Sequence, residues 1–142
     1  MSHLTRARAG LWLSLALIAG CGSNTPTAPT IDFIALDSIV PAAGTTLTAG
    51  ARVSFTAVVT CTLVNSNSGF AAMLIQDQAN RVLRVEEELP AEATLIKGTT
   101  TVTLRQTINV PANGSTVVVN LPMFISESNS TGAVVRRTYE VR

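Results

Sequence analysis

Beyond residue 30 the chain alternates apolar and polar side chains with a period of two, and each alternating run stops at a cluster of Gly, Pro, Asn or Ser. That period puts successive side chains on opposite faces of an extended strand, so each run describes a strand with one face on a core and one in water. The clearest is Arg52–Leu63, where Val53, Phe55, Ala57, Val59, Cys61 and Leu63 point one way and Ser54, Thr56, Thr60 and Thr62 the other. Ile31–Leu36 reads as a short first strand, broken and redirected by Pro41 and Gly44 before Thr45–Leu47. Asn65–Gly69 is expected to be a turn and Phe70–Gln76, apolar almost throughout, a central strand. A further turn at Asp77–Asn80 leads to a strand over Arg81–Leu89, and Pro90–Gly98 reads as irregular chain crossing between sheets. Thr99–Val110 sets Val102, Leu104, Ile108 and Val110 against Thr101, Thr103, Arg105, Thr107 and Asn109. After Pro111–Gly114, Ser115–Ile125 keeps Val117, Val119, Leu121, Met123 and Ile125 in phase; Ser126–Gly132 is a polar loop, and Ala133–Val141 a last strand with Val135, Tyr139 and Val141 inward. Residues 31–142 therefore predict one all-β domain, an antiparallel sandwich of seven or eight short strands.

Residues 1–30 follow another pattern. Arg6 and Arg8 precede an apolar run, Leu11–Ala19, and the small residues Ala19 and Gly20 stand immediately before Cys21. Basic, apolar and small zones in that order make a secretion signal. At about 1.5 Å of rise per residue the apolar run is too short to cross a hydrocarbon layer roughly 30 Å thick. Ile18, Ala19, Gly20 and Cys21 resemble the lipobox of bacterial lipoproteins, with Ile18 where Leu is commonest. The resemblance covers residues 1–21. It implies a lipoprotein signal peptide over 1–20, a diacylglyceryl group on the Cys21 sulfur, often with an N-acyl chain such as palmitate, and a protein held on a membrane of the cell envelope without spanning it. Two or more acyl chains make a durable anchor where one is marginal. Gly22, which is not Asp, implies the outer membrane where the source has one. From Cys21 to Thr30 the chain is polar and carries Pro26 and Pro29, the composition of a tether; an extended path at about 3.1 Å per residue over Gly22–Thr30 reaches roughly 28 Å.

Losing residues 1–20 changes the chemistry open to the remainder. The single histidine, His3, and the single tryptophan, Trp12, leave with the signal. Ser-His-Asp and Cys-His arrangements and imidazole metal ligation are thereby excluded. Arg6 and Arg8 leave too, so acidic and basic side chains nearly balance, which gives no electrostatic footprint for nucleic acid. With Cys21 committed to lipid, Cys61 has no partner for an internal disulfide. The strand spacing over Ile31–Arg142 resembles the immunoglobulin or fibronectin type III superfold, in architecture only. The Trp and paired cysteines of antibody-type domains are missing, and a closed barrel is the competing architecture.

Few side chains carry a signal for chemistry. Glu86, Glu87 and Glu88, with Asp77, offer oxygens to a calcium ion, but calcium takes about six to eight oxygens and adjacent strand residues face opposite ways; like charges on a strand also discourage edge-to-edge association. Asp32, Asp37, Asp77 and Glu92 are the carboxylates from which a hydrolytic pair would have to be drawn, and nothing in the sequence pairs them. Cys61 falls on an apolar face and reads as a small core residue. Arg136 and Arg137 fall on opposite faces of one strand, and Asn113 and Asn129 read as turn residues. The expectation is thus a non-catalytic, lipid-anchored interaction or adhesion module with no cofactor. Its loops Asn65–Gly69, Pro90–Gly98 and Ser126–Gly132 would be presented to an envelope protein or polysaccharide. A carboxylate-based enzyme, a calcium-binding domain or a structural subunit of an envelope assembly are the alternatives.

Overall fold

A computed structural model of the chain describes residues 31–85 and 91–142. The described residues form five strands, β1 (Phe33–Val40), β2 (Arg52–Asp77), β3 (Ala91–Asn109), β4 (Thr116–Ile125) and β5 (Ser130–Glu140), in one antiparallel sheet. Along the sheet the order is β1-β2-β4-β5, and β3 pairs with β2 on its other side.

The length of β2 explains how one sheet encloses a core. Its first half pairs with β1 over Thr56–Thr62 and with the second half of β3 over Arg52–Leu63. Its second half pairs with β4 over Gly69–Asp77 and with Ala91–Ile96 of β3. Each half has its own neighbours, and the sheet curls between them. Phe55 from the first half meets Tyr139 of β5 edge to face, ring centroids 5.2 Å apart at 73°. Around them Val59, Leu63, Met73, Ile75, Leu104, Ile108, Val117 and Leu121 are buried in one cluster. The Tyr139 hydroxyl donates to the Pro41 carbonyl at 2.9 Å, tying β5 to the end of β1. Leu47 bridges Val141 in parallel, with Leu47 N donating to Glu140 O at 2.9 Å and Arg142 N to Leu47 O at 2.9 Å, which closes that end of the curl.

The alternating sets hold. Phe55, Ala57, Val59, Cys61 and Leu63 are buried, as are Val117, Val119, Leu121, Met123 and Ile125, and Tyr139 and Val141. The strand count and several boundaries do not. Asn65–Gly69 is no turn, because β2 runs through it: residues 64–67 stand against Lys97 alone between the pairs Leu63–Gly98 and Ser68–Ile96. Such an excess on one strand is a bulge, which bends the strand and increases its twist without ending it. Ala91–Gly98, expected to be irregular, belongs to β3, where Ala91, Ala93 and Leu95 face inward. Seven or eight short strands are therefore five continuous ones, two of them long. In the expected strand Arg81–Leu89, the described residues supply the bridge Val82–Gln76 and the bonds from Leu83 N to Ile75 O at 2.7 Å and from Val85 N to Thr107 O at 3.2 Å but no strand, and Glu86, Glu87 and Glu88 lie outside the described residues. β1 runs on to Val40, and β5 begins at Ser130, inside the loop expected over Ser126–Gly132.

Gly69, where β2 begins its pairing with β4, accepts no side chain. A Cβ there would overlap the carbonyl oxygen of Phe124 on β4, a backbone atom held in the ladder. At Gly132 a Cβ would meet the end of the Ile125 side chain at 3.1 Å, which can turn aside. Gly69→Ala is expected to destabilise the fold by about 1–3 kcal/mol, and Gly132→Ala by clearly less. Chemical denaturation of both variants checks this, and equal losses would refute the backbone contact.

Candidate functional site at the bent end

Bulging residues 64–67 out of the ladder takes their amides away from strand partners, and buried or half-buried amides without acceptors are costly. Two carboxylates supply the acceptors. Asp32, immediately before β1, accepts from Val64 N at 2.6 Å and Asn65 N at 2.9 Å through Oδ1, and from the Ser66 hydroxyl at 2.6 Å through Oδ2. Glu127, in the turn between β4 and β5, accepts from Asn67 N at 2.8 Å and Ser68 N at 3.2 Å through Oε1. The Ser66 hydroxyl and then the Asn65 and Val64 amides hold the Asp32 carboxyl below its ordinary value, against the opposing pull of burial. Glu127 is likewise lowered, first by its own amide and then by Asn67, with Asp32's negative charge acting the other way. Both groups are therefore anchored anions whose lone pairs face main-chain donors.

The other expected carboxylates are dispersed. Asp37 accepts from the Thr60 hydroxyl at 2.7 Å on the outward side of β1. Asp77, 3% exposed at the end of β2, closes a turn by accepting from Ala79 N and Arg81 N at 2.9 Å each and from Arg81 Nε at 2.7 Å. The Arg81 amide, then the Arg81 side chain and the Ala79 amide, keep its carboxyl low. Glu92 is exposed on β3. No two of Asp32, Asp37, Asp77 and Glu92 share a hydrogen-bonding neighbour among these contacts, and among the described residues no three His, Cys, Asp or Glu converge on a point a metal could occupy. Cys61 is 1% exposed, and burial, with Asp37's charge second, pushes its thiol up to about 11. That thiol is protonated and shielded, the opposite of a nucleophile's setting.

Arg136 lies on the outward register opposite Asn120, while Arg137 opposes Val119 and donates to the Arg136 carbonyl at 2.7 Å. Asn113 and Asn129 sit in turns, Asn129 with φ 46°. A shallow polar groove of about 330 Å³ between Asn113–Thr116 and Glu140–Arg142 lies at the far end from Asp32. Ile18, Ala19, Gly20 and Cys21, expected from the sequence to form a lipobox, lie outside the described residues. No described helix is long and apolar enough to cross a membrane.

Sequence reasoning missed Glu127, Ser66 and Gln106. Gln106 is 4% exposed in the inward set of β3, where its Oε1 accepts from Ala91 N at 3.1 Å. A polar residue in phase with Leu104 and Ile108 was the available signal; Glu127, flanked by serines in a loop, gave none.

The chain matches no protein-family model, and no curated protein matches it. Among solved structures it is similar to a beta-glucuronidase from glycoside hydrolase family 2, at 12% identity and a TM-score of 0.48, covering 79% of this chain and 11% of that one. The chain thus corresponds to a small part of that protein, and the likeness carries nothing about its activity.

Two outcomes follow from this geometry. Asp32→Ala should cost about 1–2 kcal/mol after allowance for solvent screening. Because the fold prefers ionised Asp32, that stabilisation is whole above the ordinary carboxyl value of 3.8 and is lost as pH falls below it. Asp32→Asn should flatten the acid limb of the melting-temperature profile, and an unchanged limb would contradict the assignment. Separately, Cys61 in the native protein should react with a thiol reagent far more slowly than in denaturant; equal rates would show that the thiol is accessible.

Proposed function

We propose that the chain is a lipid-anchored, non-catalytic module of a bacterial cell envelope, acylated at Cys21 after cleavage within Ile18-Ala19-Gly20-Cys21, with a short tether leading to a β-sandwich that presents its loops to an envelope protein or polysaccharide. The observation that carries the reading is the ordered sequence of basic, apolar and small residues ending at Cys21. The all-β antiparallel fold is compatible with it: β2 and β3 each bend, and the curled sheet encloses one core. The carboxylate-enzyme and calcium readings are disfavoured by the same contacts that place Asp32, Asp77 and Glu127 in bonds to the chain's own amides. A structural subunit of a larger assembly differs from the main reading only in its partner.

Metabolic labelling with a fatty acid in the native host tests the address. The wild-type chain should take up label and partition with membranes, and Cys21→Ser should lose the label. An unlabelled wild-type chain released by gentle disruption without detergent would overturn the proposal. Crosslinking in the envelope then addresses the role: recovery of a defined neighbour supports the interaction module, and nothing above background counts against it.

A further inference from the structure

The bent end carries an apolar surface that the core does not use. Three of the four phenylalanines, Phe33, Phe70 and Phe124, stay outside the buried cluster, and all three lie at this end: Phe33 opposes Thr62, and Phe70 opposes Phe124 one position beyond Gly69. Phe70 and Phe124 stack on the outward face, centroids 4.6 Å apart at 19°. Ile96, 68% exposed, opposes Ser68 beside them, and Ile31, 67% exposed, precedes Asp32. Val134, 52% exposed, continues the patch opposite Pro122. By contrast Phe55, the buried phenylalanine, packs at the other end of the curl with Tyr139. Lys97, the chain's single lysine, is exposed next to Ile96. Of the acids near this face, Asp32 and Glu127 are turned to the bulge amides, and Glu92, exposed opposite Ala72, stands at its margin toward the far end of β2.

Where the chain departs decides what covers this surface. Asp32 is pinned to the bulge, so the segment leading back to Cys21 leaves from the patch itself. Nine residues separate Cys21 from Ile31, a contour of at most roughly 36 Å, so an acyl group at Cys21 keeps this end, where the chain departs, nearest to the lipid. Held at such an effective concentration, a weak contact is sufficient. Aromatic and aliphatic side chains beside a lysine suit the headgroup boundary, where the ammonium reaches anionic phosphate while its stem stays apolar. Resting on the Cys21 anchor proposed above, we infer that the outward face built on Phe70, Phe124 and Ile96 lies against the bilayer, so that the domain is oriented with the groove at Asn113–Thr116 facing away.

The absence of tryptophan after Trp12 makes the test direct. The acylated full chain carrying Phe124→Trp is reconstituted into vesicles of phosphatidylethanolamine and phosphatidylglycerol, with and without phosphatidylcholine brominated along its acyl chains. Val40→Trp, 63% exposed at the end of β1 away from the bulge, is the control. Phe124→Trp should be blue-shifted and quenched by bromolipid several-fold more than Val40→Trp. If Phe124→Trp fails to fold by circular dichroism, Ile96→Trp at an exposed site takes its place with the same expectation. Proteins that float with the vesicles but show no difference in quenching would overturn the orientation and leave the anchor standing; wild-type chain that does not float would overturn both. A blue shift without bromolipid quenching that grows with protein density would assign the face to a second copy of the chain, and would also overturn the inference.

Discussion

The fold depends on acceptors being available for a few amides of β2. A strand of 26 residues cannot stay in one flat ladder and also enclose a core of this size, so it has to bend, and bending over residues 64–67 strips donors of their strand partners. Water would satisfy them at no great cost, but it would leave the bend free to take many shapes. Asp32 and Glu127 instead hold the donors with charged acceptors, whose hydrogen bonds are stronger than neutral ones. They reach the bulge from two directions, one from the start of β1 and one from the β4–β5 turn. The bend is thereby fixed by both ends of the sheet that it brings together.

This constraint propagates through the pleat. In β2 the inward residues keep odd numbers on both sides of the bulge, from Phe55 to Leu63 and from Ala71 to Ile75, so one strand feeds the core continuously. In β3 the phase changes: Leu95 is inward before the bend, Leu104, Gln106 and Ile108 after it. Gly98, with φ 106°, sits at the change, in a conformation an L side chain rarely adopts. Gly69 meets the complementary demand on β2, giving β4 room to approach. Two glycines and two carboxylates thus perform one operation: they let two paired strands turn a corner together.

That operation also marks where the sequence stopped being readable. Alternation identified the inward sets of β2, β4 and β5 because the solvent contrast across a half-buried strand repeats every second residue. Asn65-Ser66-Asn67-Ser68-Gly69 has the composition of a turn, and composition does not distinguish a turn that reverses the chain from a bulge that bends it; the distinction lies in whether neighbouring strands follow. Ala91–Gly98 was obscured for a second reason. Its inward residues are mostly small, and its phase disagrees with that of Thr99–Val110, so a single-period reading sees disorder where there are two registers. Asp32 was legible only as a carboxylate, because its partners lie some thirty positions along the chain.

The two outward faces on either side of the bend differ in chemistry, and the same strand pair carries both. Over the first half of β2, Thr60 and Thr62 bond hydroxyl to hydroxyl with Thr101 and Thr99 at 3.1 and 3.0 Å, a cross-strand ladder that water can join. Past the bulge the outward positions become Phe70 and Leu74 and, on β4, Pro122 and Phe124, until Asn120 donates to Gln76 at 2.8 Å toward the far end. The stacked Phe70 and the threonine ladder thus stand on outward positions of the same strand, one on each side of the bulge. The residue that fixes the bend, Asp32, is also the residue from which the chain runs back toward Cys21. Bend, apolar surface and the start of the described chain thus fall at one end of the domain, where three hydrogen bonds from the bulge to Asp32 set the angle at which that chain meets the sheet.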